Sequence, residues 1–133
     1  MIRQVINING YWKVIVYYNV DYNLFKYIAE DLYYEVSSPV EKIDEIYYNL
    51  LYTAKAVTVS SIKRHISVVL FNKHESKYDY INSIVHEAEH VKQAMLKSYN
   101  VEDEGEPPAY TIGYIVMKML ESKVVNFKIL SHL

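Results

Sequence analysis

The segment Tyr78–Ser98, YDYINSIVHEAEHVKQAMLKS, carries a helical pattern in which apolar and polar residues separate onto two faces. The apolar residues that recur at helical spacing are Ile81, Ile84, Val85, Ala88, Val91 and Met95. His86 and His90 project from the opposite side, about 40° apart around the helix axis. The pattern therefore predicts an amphipathic helix whose two histidines are not ordinary core residues.

The polar side of this helix contains the motif H-E-x-x-H, formed by His86, Glu87 and His90. Two imidazoles at this spacing reach one tetrahedral ion, and a third protein ligand would leave the fourth position open, as catalytic zinc requires. Spacing alone does not choose between Glu87 and Glu89 as general base, but the known mechanics of the motif favour Glu87. The alternative is a solvated helix face on which the spacing is accidental. We take the motif as a predicted zinc site.

A third ligand must come from outside the motif. The longer pattern H-E-x-x-H-x-x-G-x-x-H is absent, because Gln93 and Leu96 occupy its Gly and final His positions. The chain has no cysteine, so a carboxylate is the natural substitute. The downstream candidates are Glu102, Asp103, Glu104, Glu106 and Glu121. Glu106 stands out because it opens the next predicted helix, where the helix dipole favours an ionised carboxylate.

The helix predicted after Glu106 begins near Pro107 and runs past Leu120. Tyr110 lies one turn beyond Glu106 and is a candidate to stabilise an oxyanion in the site. Packing between two helices explains the same tyrosine equally well. Its catalytic role is therefore one of two open interpretations.

The run I-V-H-E-A-E-H-V (Ile84–Val91), followed by E-P-P-A-Y-T-I-G-Y (Glu106–Tyr114), resembles the short zincin-type proteins of phages, prophages and Bacteroides-like mobile elements. The E-x-x-A portion is also similar to the ImmA/IrrE-type metallopeptidases, in which that Glu is the third metal ligand. The resemblance covers about a quarter of the chain. It implies a minimal zincin-like domain with Glu87 as general base. The zinc ligands that it implies are His86, His90 and Glu106.

The sequence before the motif predicts a strand, two helices and a hairpin. Runs of β-branched and aromatic residues predict strands at Tyr11–Val20, Ala56–Ser60 and His65–Phe71, with the last two paired as a hairpin. Helical spacing predicts helices from Asp21 to about Val36 and from Pro39 to about Leu51. The expected fold class is α+β, a small antiparallel sheet followed by two helices that carry the chemistry.

Composition limits the partners of the chain. Its length of 133 residues fits one domain over 1–133. Its net charge of −2 gives no general attraction to nucleic acid or anionic membranes. No apolar stretch approaches the ~20 residues of a membrane span, and Met1–Gly10 lacks the apolar run of a secretory signal. We therefore expect a cytoplasmic protein without nucleic-acid or membrane partners. The oligomeric state is not readable.

The function that these features predict is a zinc-dependent metallopeptidase acting on a peptide or protein. One hairpin strand, His65–Phe71, is expected to be an edge to which an extended peptide adds. Two alternatives stay open: a non-catalytic zincin-fold binding or regulatory protein, and a phage-associated structural protein in which the motif is incidental. His65, His74 and His132 are not at ligand spacing and are expected at the surface.

Overall fold

The structure is a computed structural model that describes residues 1–100, 103 and 105–122, with the backbone alone at 106 and 107. Its strands form one sheet in the spatial order β1-β2-β4-β3. Their bounds are β1 Ile2–Ile8, β2 Trp12–Tyr18, β3 Ala56–Ser61 and β4 Ile66–Phe71. The pairs β1–β2 and β3–β4 are antiparallel, whereas β2 and β4 are parallel. The sheet is therefore mixed, and the predicted purely antiparallel sheet is wrong.

The parallel pair arises because β4 inserts between β2 and β3. Every residue of β4 is buried, which is typical of a strand covered on both faces and on both edges. The residues of β3 are all half-buried, as suits a strand at the side of the sheet. The prediction of His65–Phe71 as an edge strand is therefore wrong, and among the described strands the edges are β1 and β3.

Strand β1 was not predicted from the sequence. Asn9 and Gly10, which follow it, both have positive φ, 54° and 66°, and Tyr11 N–H donates to the Ile8 carbonyl at 3.0 Å. Asn-Gly in this conformation is a strong hairpin signal, because the turn matches the twist of the flanking strands. Only Ile6 and Ile8 of β1 are buried, so its apolar alternation is short.

Four α-helices occur within the described residues, at α1 Phe25–Tyr34, α2 Val40–Tyr52, α3 Lys77–Tyr99 and α4 Glu106–Leu120. Each lies within a few residues of its prediction. A 3-10 turn precedes α1, and its first turn is capped by the Asp21 side chain. Helix α3 begins where Ser76 Oγ accepts from the Asp79 amide and ends at Asn100, which is left-handed with φ of 59°.

The helices cover both faces of the sheet. Strand β2 alternates, so that Val14 and Val16 pack with α3 and α4 while Ile15 packs with α1 and α2. The apolar face of α3 is buried largely as predicted, although Val85 is exposed. The α+β class is confirmed, with α3 and α4 held as a pair on one side of the sheet. Within the described residues, no helix is both long and apolar enough to cross a membrane.

Candidate metal site on helix α3

His86 and His90 lie on the exposed side of α3, opposite its buried face. Their Nε2 atoms are 3.2 Å apart, and the two rings are nearly perpendicular at 81°. An ion bound to both nitrogens at zinc's usual distance and tetrahedral angle would separate them by about 3.3 Å. Two neutral imidazoles sharing one N–H···N hydrogen bond produce the same spacing. The spacing therefore fits two ligands of one metal ion, and it fits a hydrogen bond between the two rings equally well.

Glu87 lies on the flank of α3 that faces strand β3 and is only 5% exposed. Thr58 Oγ1 donates to its Oε1 at 2.9 Å, while its Oε2 lies 4.0 Å from Nε2 of His86. One carboxylate oxygen therefore accepts a hydrogen bond from the sheet, and the other lies beside His86. Because the Thr58 hydroxyl donates to one carboxylate oxygen, the other oxygen can still accept a hydrogen bond.

Thr58 was not singled out from the sequence. It pairs in register with Val69, a residue of the core beneath α3, so its side chain faces the same helix. The next β3 residue on that face is Ser60, which hydrogen-bonds the buried Ser67 at 2.7 Å. Period-two alternation in AVTVSS places Thr58 and Ser60 on one polar face. What the sequence did not reveal is that this face lies against the motif helix.

The structure separates the two glutamates between which spacing did not choose. Glu89 turns to the other flank of α3, where its carboxylate contacts Lys92 Nζ at 2.6 Å. Lys92 also contacts Asp103 at 2.8 Å, and its side chain is only 9% exposed. Burial lowers the pKa of Lys92, but the hydrogen bonds with Asp103 and Glu89 outweigh it, so the pKa lies above its ordinary value. Of the two glutamates, Glu87 is the one beside His86.

The described carboxylates among the candidates for the third ligand pair with lysines. Asp103 is engaged by Lys92, and Glu121 lies 3.5 Å from Lys118 near the far end of α4. Glu106 is the first residue of α4, one position after the N-cap Gly105, and its side chain lies outside the description. Glu102 and Glu104 also lie outside it. In the part of the chain that the structure describes, no three His, Asp or Glu side chains gather as a metal site.

Tyr110 is exposed and lines a cleft of about 300 Å³ between the start of α4 and the end of β1. The described residues that line this cleft with it are Ile8, Asn9, Met95, Thr111 and Tyr114. His86, Glu87 and His90 are not among them. Its role towards an oxyanion stays a prediction.

The two remaining histidines that the structure describes differ from the surface positions expected for them. His74 is buried, so that prediction is wrong: its Nδ1 lies 2.7 Å from the Asn72 carbonyl and its Nε2 lies 2.7 Å from Ser83 Oγ. These contacts tie the loop before α3 to the helix itself. His65 is half-buried beside Tyr11. His132 lies outside the described residues.

Comparison with known proteins adds no relative to this picture. The chain matches no family model, and no match is found among curated proteins or among solved structures.

Proposed function

We propose that this chain is a zinc-dependent metallopeptidase built on a minimal zincin-like domain. His86, His90 and Glu106 would hold the zinc, and Glu87 would act as general base. The observation that carries the proposal is the convergence at the motif: two exposed imidazole nitrogens 3.2 Å apart, with a buried carboxylate whose second oxygen lies beside His86. The donor set, nitrogen and carboxylate oxygen, is one that zinc accepts.

Zinc, when bound, would act as a Lewis acid and lower the pKa of water towards neutrality. Glu87 would receive the proton of the attacking water at Oε2 and pass it to the leaving amine. Because Thr58 already occupies Oε1, the carboxylate presents Oε2 in a fixed direction. Tyr110 is the candidate donor to the developing oxyanion.

The substrate in this proposal is an extended segment of a peptide or protein. Such a segment would add to strand β3, the sheet edge on the α3 side, instead of β4, which is interior. No described strand pairs with the side of β3 that faces away from β4, and the added segment would pair with the main chain on that side. The polar residues Thr58 and Ser60 of the same strand lie toward α3, so the added segment would run beside the histidines.

The first test is metal content. Protein purified without chelators should hold about one zinc per chain by elemental analysis, and His86→Ala should abolish binding. His65→Ala, which changes a histidine away from the motif, is the matched control and should retain it. Absence of metal in the gently purified wild-type protein would end the proposal.

The second test is hydrolysis of a broad peptide library. Wild-type protein should bind zinc and cleave, whereas Glu87→Gln should retain zinc and lose cleavage. Glu45→Gln, on the exposed side of α2, is the control and should retain both zinc and cleavage. Removal of a general base typically costs 10²–10⁴-fold in rate. Zinc binding without any cleavage by the wild-type protein would instead favour a non-catalytic binding or regulatory protein.

A further inference from the structure

Strand β3 lacks the features that usually protect the edge of a sheet. Its residues, AVTVSS, include no charged side chain and no proline, and its pairing with β4 runs without a bulge. The nearest charged residues, Lys55 and Lys63, lie outside the strand. The other described edge, β1, contains Arg3, which pairs with Asp31 of α1. Because charges, prolines and bulges keep other strands away from an edge, β3 is the described edge that accepts an added strand more readily.

The pairing between β3 and β4 shows which main-chain groups of β3 point outward. The Asn72 amide donates to the Lys55 carbonyl at 3.0 Å, one step beyond the pair Ala56–Phe71. In an antiparallel ladder, hydrogen-bonded pairs alternate with pairs that are not bonded to each other. The pairs that include Val57 and Val59 are therefore bonded to β4. Three residues remain whose N–H and C=O groups point away from β4: Ala56, Thr58 and Ser60.

The same alternation places the side chains of β3 on two different surfaces. Thr58 hydrogen-bonds Glu87 of α3, and Ala56 packs against the apolar layer that includes α3. Val57 and Val59 point the other way and pack against the layer formed by α1, α2 and the sheet. Both valines are only half-buried, so part of each apolar side chain stays uncovered.

A segment that adds to β3 must follow this alternation, because residues opposite each other in a ladder direct their side chains to the same face. The residue opposite Thr58 would bond to it through the main chain and direct its side chain to the α3 side, where Glu87 lies. Its two neighbours in the segment would direct their side chains to the side of Val57 and Val59. Apolar side chains at those two positions would cover the exposed parts of the valines.

We propose that β3 selects extended segments with apolar side chains at alternate positions, and that Val57 and Val59 determine this preference. The intervening residues, on the side of Thr58 and Ser60, would be polar. The inference rests on the proposed function, because it takes the segment to be the substrate. It adds the sequence pattern of that substrate.

The probe is the peptide acetyl-ETVTVTE-amide, in which valine alternates with threonine and the glutamates keep the peptide soluble. The peptide acetyl-ETTVVTE-amide has the same composition without the alternation. NMR of the labelled full chain, kept free of zinc so that the peptide is not cut, measures binding and amide exchange together. The alternating peptide should slow exchange at Thr58 and Ser60, whose amides point outward, and should leave Val57 and Val59 unchanged. The second peptide should bind about fivefold more weakly.

Val59→Thr keeps the shape of the side chain but removes an apolar partner, so it should weaken binding of the alternating peptide by up to about fivefold. Val5→Thr on β1 changes an exposed valine of the other edge strand, and as the matched control it should leave binding unchanged. The amide spectrum of each variant shows whether it is folded.

A test on the wild-type chain uses N-methylated peptides, so it does not depend on the folding of a variant. A methyl group on the central threonine of the peptide removes an N–H that points to β3, and binding should weaken by about tenfold. A methyl group on either valine replaces an N–H that points away from β3 and should cost much less. Equal losses at the two kinds of position would contradict pairing through the main chain.

The other results decide between the inference and the function beneath it. Equal binding of the two peptides, or protection outside β3, would overturn the inference and leave the zinc site untouched. Slow exchange at Thr58 and Ser60 before peptide is added, in a chain that sediments as a dimer, would overturn it too, because a second copy would then occupy the edge. The predicted preference in a chain that never holds zinc would support recognition by β3 and overturn the metallopeptidase.

Discussion

Glu87 joins the sheet to the exposed histidines, and its environment is more specific than the motif alone implies. It is buried on the helix flank that faces β3 and accepts a hydrogen bond from Thr58. A buried carboxylate that loses its donor keeps the full cost of having left water. The Thr58 hydroxyl therefore has a structural role that can be measured without metal or substrate.

Thr58→Val should lower the free energy of unfolding by about 1–3 kcal/mol, because the isosteric side chain leaves Oε1 of Glu87 without its donor. Thr58→Ser keeps the hydroxyl and should lose much less. Urea unfolding of the metal-free proteins measures both. Equal losses in the two variants would show that packing of the threonine methyl group, not the hydrogen bond, is what matters.

His74 predicts a pH dependence of stability. Burial lowers its pKa, and the hydrogen bond to the Asn72 carbonyl offsets this only in part. In the unfolded chain the pKa of the imidazole is about 6.5, so below that pH the unfolded state binds more protons than the folded state. Stability should therefore fall as pH drops through 6.5, until the folded imidazole is also protonated.

The measurement is urea unfolding of wild type and His74→Gln at pH 7.5 and pH 5. The wild-type protein should lose more stability on acidification than the variant, which has no proton to bind at this position. His65→Gln is the control and should keep the wild-type difference between the two pH values. A wild-type pH dependence in His74→Gln would contradict the assignment.

At the scale of elements, the helices and three of the strands were predictable because their patterns are local. The spacing of Ile28 and Leu32, or of Ile43 and Ile46, identifies a buried helix face without knowledge of what covers it. The order of the strands in the sheet is not a local property of this kind, because it depends on which strand has neighbours on both edges. The run Ile66–Phe71, which is apolar except for Ser67, was itself a sign of an interior strand.

Hydrogen exchange should distinguish the interior strand from the edge. Amides of β4 point alternately to β2 and β3 and have a partner on either side, so all should exchange slowly. In β3, alternate amides point away from β4 and should exchange much faster. Amide exchange followed by NMR gives the comparison residue by residue. Uniformly slow exchange along β3 would contradict its position at the edge.

The candidate site shows the same division between local and non-local information. His86, Glu87 and His90 were found because one helical turn brings them together. Other contacts join residues that are distant in sequence. Thr58 hydrogen-bonds Glu87, which is 29 positions away, and Lys92 contacts Asp103, which is 11 positions away. Neither contact has a spacing rule, because each is set by how the sheet and the turn pack against α3.

At the scale of the molecule, the metal site is built on an element that is already stabilised by packing. Helix α3 buries Ile84, Ala88 and Val91 against the sheet and α4, while the histidines lie outside that core. Small zinc domains whose core is the metal unfold without it. Here the apolar layers on both faces of the sheet do not include the site, so the fold should not depend on zinc.

We therefore expect chelator-treated protein to keep its far-UV circular dichroism and a cooperative thermal transition. Adding zinc should raise stability by mass action, by about 2.7 kcal/mol when free zinc is 100 times the dissociation constant. His86→Ala should unfold much like the metal-free wild type and show no zinc-dependent shift, because the core beneath the helix is unchanged. Calorimetry with and without zinc makes the comparison. A wild-type chain that unfolds on chelation would place the metal within the folding core, and the separation between scaffold and site would then be wrong.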